Sequence, residues 1–511
     1  MSRLHGITRK SSLAHPDLHA AITQDQVKER TISKITMLSP NSALGVNNGD
    51  IHTLRTALLE RMYYCKVGST FVEPPVIAAS TIRVGLKDFR AKLVDRFHTT
   101  PSSPQEVVDM YRGRKKTIYE KAMEEFMARD VTRKDSIINA FVKCEKVKTT
   151  GAPRCIQPRY PVYNLAVGRY IKKVEHRIYR RIAKIFGDGP TVMKGYTVQG
   201  VAKVMKGKWD SFADPVAIGL DATKFDMHVC KGMLQWEHSV YEAIYSNYGA
   251  AELRRLLSWQ RSNIGRGRAE NGRLWYKVEG RRASGDMNTA LGNCIIMCAL
   301  IWQYSRERGV PVKLVNNGDD CVVFMERRHA EQFSIDLDSW FFGYGFRMTK
   351  EPMVDEFERI EFCQMHPIRT QSGWTMVRNI AVALQKDTMC TMPLNYRSAR
   401  KWMYAVGECG LALTAGVPIM QEFYTAYMRN GDPSGNIANS PIMLTGLSMM
   451  RGDLVCARAR VSDEARLGVF TAWGITPDEQ IALEKYYASW KFTDQVDSNY
   501  VDQIPTLLHV I

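Results

Sequence analysis

Residues 312–324 read Val312-Lys-Leu-Val-Asn-Asn-Gly-Asp-Asp-Cys-Val-Val-Phe324. Two short apolar runs, 312–315 and 321–324, flank a polar turn, so the spacing predicts strand, tight turn, strand. Asn316-Asn317-Gly318-Asp319-Asp320 is turn text, and Gly318 supplies the backbone freedom that a tight turn needs. The turn also sets two carboxylates side by side, which is unfavourable unless a positive charge sits there. A divalent cation answers that need. Mg2+ is hard, takes oxygen ligands, and is commonly held by one or two carboxylates plus substrate phosphates. Taken alone, the same tripeptide also suits an ordinary solvated turn.

Two features upstream change the balance. The apolar run 216–220 ends in Asp221, within Gly219-Leu-Asp-Ala-Thr-Lys-Phe-Asp226, and reads as a buried strand with an acidic tip. Between that strand and the turn lies a Gly/Ser/Thr/Asn cluster, Ser284-Gly-Asp-Met-Asn-Thr-Ala-Leu-Gly-Asn293. Asp221 by itself would serve equally as a helix N-cap. The three together, in this order, point to paired-metal chemistry. Two cations about 3.5–4 Å apart activate an attacking hydroxyl and stabilise a leaving pyrophosphate.

The whole chain agrees with a polyanionic partner. Its 511 residues predict about three units or one multi-lobed body, and 45% hydrophobic with 24% charged residues is ordinary for a soluble globular protein. Lys plus Arg number 70 against 53 Asp plus Glu, a formal charge of +17, which favours nucleic acid or an acidic membrane surface. The eleven cysteines are scattered, with no Cys-x-x-Cys pair and no zinc spacing, and read as thiols in a reducing compartment. No signal peptide is visible, and the apolar stretch 291–302 is too short to span a bilayer, so membrane residence is peripheral or borrowed from a partner.

Local patterns predict the rest. Residues 1–50 are polar with little periodicity and read as a flexible N-terminal extension. Helices are expected over 54–63, 104–128, 229–248 and 288–303, with a basic amphipathic helix over 168–186. Asn271-Gly272 marks a hairpin before 274–278, and residues after 375 read as mostly helical.

These residues carry a resemblance. DATKFD, SGDMNTALGN and GDD resemble motifs A, B and C of viral RNA-dependent RNA polymerases, most closely those of tombusvirus-like plant viruses. FVKCEKVKTTGAPRCIQPR from Phe141 resembles that family's motif F, GFRMTKE its motif D, and IEFCQ its motif E. The resemblance implies an α+β, right-hand polymerase with an antiparallel palm sheet carrying the catalytic aspartates. Its units would be the extension 1–50, fingers with motif F over 51–212, palm over 213–330, motifs D and E over 331–375, and thumb over 376–511.

The resemblance also implies roles. Asp221 and Asp319 would be primary ligands of Mg2+ (Mn2+ as a substitute), with Asp320 assisting. Asp226, Ser284 and Asn293 would recognise the ribose 2′-hydroxyl, which is both donor and acceptor, with Thr289 in support. Lys143, Lys146, Arg154 and Arg159 would grip the NTP triphosphate. Lys350 would protonate pyrophosphate as a general acid, and 360–364 would form a hairpin supporting the primer strand. Asp286 and Asn288 match the family text without an assigned role.

The implied activity is template-directed synthesis of RNA on a positive-strand viral genome. The implied partners are template and product RNA, NTPs, an accessory replication protein and, indirectly, a host membrane, with no role for DNA. The setting would be cytoplasmic, membrane-associated replication complexes. The chain then is either a separate product or the downstream part of a read-through or frameshift protein. Two alternatives stand beside this: a reverse transcriptase-like polymerase, and a non-catalytic viral RNA-binding protein.

Overall fold

In the computed structural model, the 312–324 stretch forms two strands, Lys313–Asn317 and Asp320–Glu326, joined by the two residues Gly318-Asp319. Gly318 has φ +81°, and the positive φ falls at the first central position of the turn. This is the type II′ arrangement, whose twist matches that of the flanking strands. All residues are described except 26, 41–43, 188, 435–445 and 494–504.

The hairpin belongs to a four-stranded antiparallel sheet in the order Lys313–Asn317, Asp320–Glu326, Pro215–Ala222, Met348–Lys350. The central strand runs past the expected 216–220 to Ala222, because Asp221 and Ala222 pair with Thr349 and Met348. Alternation splits its side chains between two cores. Val216, Ile218 and Leu220 face one core, with Cys321 and Val323, while Ala217 faces the other, with Val322 and Phe324.

The helix Thr289–Arg308 is apolar around most of its circumference and sits inside the first core. The basic helix extends over Pro161–Phe186, starting before the expected 168 because Pro161 is pre-organised for the first helical turn. Its Ile171, Val174, Ile178 and Ile182 are fully buried, and Arg177 and Arg181 lie 4.4 and 4.6 Å from the Phe97 ring. The helix expected over 229–248 spans Lys231–Ile244. The one expected over 104–128 is broken into Pro104–Asp109 and Gly113–Ala128, where Arg112 is extended and Gly113 takes φ +55°.

A second sheet of five strands has the order Leu18–Ile22, Gly272–Glu279, Ser262–Ala269, Ile138–Val142, Cys155–Ile156. Its hairpin turns at Glu270-Asn271, one residue before the expected pair, because buried Asn271 accepts the Ile51 amide through Oδ1 at 3.0 Å.

Residues 1–50 are not a loose extension. Ser2–His5 and Thr31–Lys34 form a sheet with Met389–Cys390, Leu18–Ile22 edges the five-stranded sheet, and Leu44–Gly45 pairs with Val147–Lys148. Arg30 donates to the Val142 and Asn47 carbonyls, and Tyr487 donates to the Leu38 carbonyl at 3.0 Å. The segment thus ties the motif F strand to a C-terminal helix, using partners too distant in sequence to leave a local pattern. After 375 the described residues are mostly helical, as expected; residues 435–445 and 494–504 of that region lie outside the description. Among the described residues, no helix is long and apolar enough to cross a membrane. All eleven cysteines are free. The architecture is α+β.

Candidate functional site

Register brings the acidic residues together. Leu220 pairs with Cys321, and one step further each strand presents an aspartate, Asp221 on one and Asp320 on the other. Asp319 projects from the adjoining turn. Asp221 and Asp319 are both exposed. Asp319 is pushed above the ordinary carboxylate range by desolvation and by the Asp221 charge. Asp320 is pushed up to about 6, first by burial and then by Asp319. One Asp320 oxygen is already engaged, since Oδ2 accepts the Cys363 amide at 2.9 Å.

Cys363 lies in a tight hairpin, Phe362 to Met365, in which Cys363 (φ +53°) and Gln364 (φ +60°) are both left-handed. The structure places the turn at 362–365 and not over the expected 360–364, and its backbone reaches back to the Asp319-Asp320 turn. Cys363 Sγ also accepts from Asn317 Nδ2 at 3.2 Å.

The donor set at the strand ends is all oxygen, and burial followed by neighbouring carboxylate charge raises Asp319 and Asp320, which suits a hard divalent cation. Among the described residues, no three His, Cys, Asp or Glu side chains are gathered closely enough to form a finished metal cage. Mg2+ dehydrates reluctantly and is usually bound through one or two carboxylates together with water and substrate phosphates. Asp221, Asp319 and Asp320 are the residues that would hold it.

Behind the carboxylates, Asp226 and Asn293 meet: Asn293 Nδ2 donates to Asp226 Oδ1 at 2.9 Å. Burial raises the Asp226 carboxyl, opposed by the Asn293 hydrogen bond and the Arg282 charge. Lys224, left-handed at φ +47°, turns the chain from the strand into the short helix Phe225–His228 that carries Asp226, and its Nζ donates to the Glu60 carbonyl at 2.6 Å. Ser284 is exposed, and its Oγ accepts the Gln157 amide at 3.2 Å. Thr289 Oγ1 donates to the Ala283 carbonyl at 2.7 Å, closing the 283–289 turn that the helix continues.

The four expected triphosphate cations separate into three situations. Arg154 is half exposed, 3.4 Å from Glu145, and its charge acts on both Asp226 and Asp319. Lys143 pairs with the same Glu145 at 3.0 Å. Lys146 turns away: it donates to the Lys386 carbonyl, and with Lys143 it lines a cavity of about 420 Å3 shared with Arg378, Asp387 and Trp402. Burial pushes its ammonium down to about 8.

Arg159 requires a correction. It is fully buried, bound to Asp286, the Ser136 carbonyl and Asn263 Oδ1, with no surface left for a phosphate. It anchors the Ser284–Asp286 turn, which supplies the role that Asp286 lacked.

Lys350 is exposed and pairs across the strand with Leu220, so its Cβ leaves the sheet on the face opposite Asp221. The next residue, Glu351, lies on the Asp221 face. A Cβ on Gly219 would fall 1.9 Å from Glu351 Oε2, and the Asp221 charge helps raise the Glu351 carboxyl after burial and Glu361.

Sequence reasoning missed Lys194, whose charge acts on Asp319. It follows a segment bridged in parallel to Asn316, where the Asn316 amide donates to the Thr191 carbonyl at 2.9 Å. The loop text around Gly195 gave no sign of that pairing. Arg61, which donates to the Pro153 and Ala152 carbonyls and so shapes the Arg154 loop, was also missed.

The strand ends thus carry an acidic cluster with cations acting on it, beside the Asp226–Asn293 carboxylate–amide pair. The chain belongs to the viral RNA dependent RNA polymerase family, which it matches over residues 20–495. It is 40% identical over 497 residues to the RNA-directed RNA polymerase of Melon necrotic spot virus, covering 94% of this chain and 62% of that protein. It is 40% identical over 470 residues to that of Turnip crinkle virus (90% and 60%) and 39% over 480 residues to that of Carnation mottle virus (92% and 62%). The chain thus spans about three fifths of the length of these relatives. The tombusvirus-like resemblance of the motifs holds.

Proposed function

We propose that this chain is the polymerase portion of an RNA-directed RNA polymerase that copies a positive-strand plant-virus genome. The observation that carries this reading is the antiparallel register that sets Asp221 beside Asp319 and Asp320, with the Lys194 and Arg154 charges acting on Asp319. The four-stranded sheet is the palm, the region around Ile138–Val142 and Pro161–Phe186 belongs to the fingers, and the helices after 375 form the thumb.

Asp221 and Asp319 would hold Mg2+ (or Mn2+), which when bound would ease deprotonation of an attacking 3′-hydroxyl and stabilise the charge of a departing pyrophosphate. The chain's own residues do the rest. Arg154 and Lys143 hold the triphosphate, since guanidinium and ammonium groups grip phosphate oxygens strongly. Asp320, fixed by the Cys363 amide, buttresses the turn that presents Asp319. Asp226, Asn293 and Ser284 read the ribose 2′-hydroxyl, and this small polar set favours ribonucleotides over the deoxyribonucleotides of a reverse transcriptase. Lys350 remains the candidate proton donor to pyrophosphate only by its place in the motif, since its Cβ leaves the sheet on the face opposite Asp221. The +17 charge lines template and product channels, where phosphate contacts give sequence-independent affinity. Placement in cytoplasmic, membrane-associated replication complexes comes through an accessory replication protein.

The test is NTP incorporation on an RNA template by purified protein, with and without primer. Wild type incorporates NTPs and Asp319→Ala does not. Extension that survives Asp319→Ala unchanged refutes the catalytic assignment, and preferential use of dNTPs favours the reverse transcriptase reading.

A further inference from the structure

We propose that Arg282, which has no surface from which to touch a nucleotide, is the positioning residue for ribose selection, acting by fixing which end of the Asn293 amide faces Asp226. The inference rests on the sugar-reading role proposed above for Asp226 and Asn293.

Arg282 is 2% exposed. Its Nε donates to Asn293 Oδ1 at 3.0 Å, its Nη2 donates to Glu237 Oε2, and its backbone amide donates to the Asp226 carbonyl at 2.9 Å. A guanidinium has donors and no acceptor, so the atom it meets on Asn293 must be the carbonyl oxygen. The NH2 end of Asn293 is thereby forced toward Asp226, where the 2.9 Å hydrogen bond is found.

The consequence is chemical. Asp226 offers an acceptor, and Asn293 offers a donor directly beside it. A ribose 2′-hydroxyl is a donor and an acceptor at once, and satisfies such a pair. With the amide reversed, the Asn293 oxygen would face the Asp226 carboxylate. A hydroxyl could not serve two acceptors with one proton, and the two oxygens would repel each other.

Arg282 is itself held on the far side. Glu237 is fully buried, and accepts from Asn288 Nδ2 at 2.9 Å and the Tyr241 hydroxyl at 2.7 Å as well as from Arg282. Gly292 lets the long helix pass this pair: a Cβ there would lie 2.2 Å from Glu237 Oε1 and 2.5 Å from Arg282 Nη2. This also assigns Asn288, which links Glu237 to Gln260. A buried ion pair is a poor way to gain stability, since desolvation offsets much of the attraction. Its use here is directional.

The experiment compares kcat/KM for UTP, 2′-deoxy-UTP and 3′-deoxy-UTP on an RNA template in the full chain and in Arg282→Lys. Lysine keeps the charge but cannot reach Asn293 and Glu237 with the fixed fork of a guanidinium. The ratio of UTP to 2′-deoxy-UTP is expected to fall by about tenfold or more, the loss of one oriented hydrogen-bond pair. The ratio of UTP to 3′-deoxy-UTP is expected to hold. Where Arg282→Lys does not fold, Arg282→Met combined with Glu237→Gln removes both charges together, leaves no buried ion unpaired, and is expected to give the same change. Parallel loss for UTP and 2′-deoxy-UTP at a constant ratio, in the folded variant, overturns the inference and leaves Arg282 a packing residue. A wild-type protein that incorporates NTPs without any 2′-discrimination instead overturns the sugar-reading role itself.

Discussion

The backbone amide of Cys363 donates to Oδ2 of Asp320 at 2.9 Å, which links the Phe362–Met365 hairpin to the acidic turn across 43 residues of sequence. The two aspartates of the turn are therefore unequal. Asp319 is exposed and engaged by its own backbone amide, whereas Asp320 has one oxygen committed to a distant segment of the protein. Asp320→Asn keeps an acceptor for the Cys363 amide and is expected to reduce nucleotide incorporation by about 10–100-fold. Asp319→Asn removes a primary charge and is expected to reduce it by about a thousandfold or more. Steady-state incorporation rates decide, and the reverse ranking would contradict the assignment.

Two arginines of the same motif are expected to fail in different assays. Arg154→Ala removes a half-exposed cation near Asp226 and Asp319, so the KM for NTP is expected to rise about tenfold with unfolding unchanged. Arg159→Ala leaves Asp286 buried without its partner, which costs about 3–5 kcal/mol of stability. Chemical denaturation should register Arg159 strongly and Arg154 hardly at all.

The Cys363–Gln364 turn holds two non-glycine residues at positive φ, a conformation that costs an L-residue about 1–2 kcal/mol. Gln364→Gly is expected to raise stability by up to about 1 kcal/mol, because glycine's larger unfolded-state entropy offsets part of the relief. Incorporation should persist, since the Cys363 amide still reaches Asp320. A lower denaturation midpoint would show that the Gln364 side chain matters more than its backbone.

Acid should weaken the fold through His228. This residue is fully buried, its Nδ1 lies 3.2 Å from the Lys224 carbonyl, and burial, with the Arg347 and Arg281 charges, pushes it down to about 4. The unfolded chain takes up the proton near pH 6.5 and the folded chain only near pH 4. Stability from this group is complete above about pH 6.5 and is lost as pH falls toward 4, amounting to about 3 kcal/mol. Denaturation at pH 7.5 and pH 5 should show the loss, and His228→Asn should flatten the slope.

Much of the site was legible because its chemistry is local. Gly318-Asp319-Asp320 is a turn by composition, and Asp221 ends an apolar run, so short-range pattern alone puts the acidic tips on strands. Arg159 was misread because its neighbours in sequence are basic and polar, while its burial against Asp286 and Asn263 depends on residues more than 100 positions away. Residues 1–50 were misread for the same reason: Thr31–Lys34 is a strand because Met389–Cys390 pairs with it. Lys194 was invisible because a lysine in a glycine-containing loop carries no periodic signal.

By itself the sequence determined which residues could do chemistry: the carboxylates, the Asn and Ser of the 284–293 cluster, the basic segment, and the family they spell out. These follow from composition and short-range spacing, which a linear text contains in full. Only the tertiary structure decided which of them meet. Register set Asp221 opposite Asp320 and turned Lys350 to the other face, burial withdrew Arg159, and a network of one buried guanidinium and one carboxylate settled which end of Asn293 faces Asp226. The physical reason is that hydrogen-bond direction and desolvation belong to contacts between distant segments, and neither exists until the chain has folded.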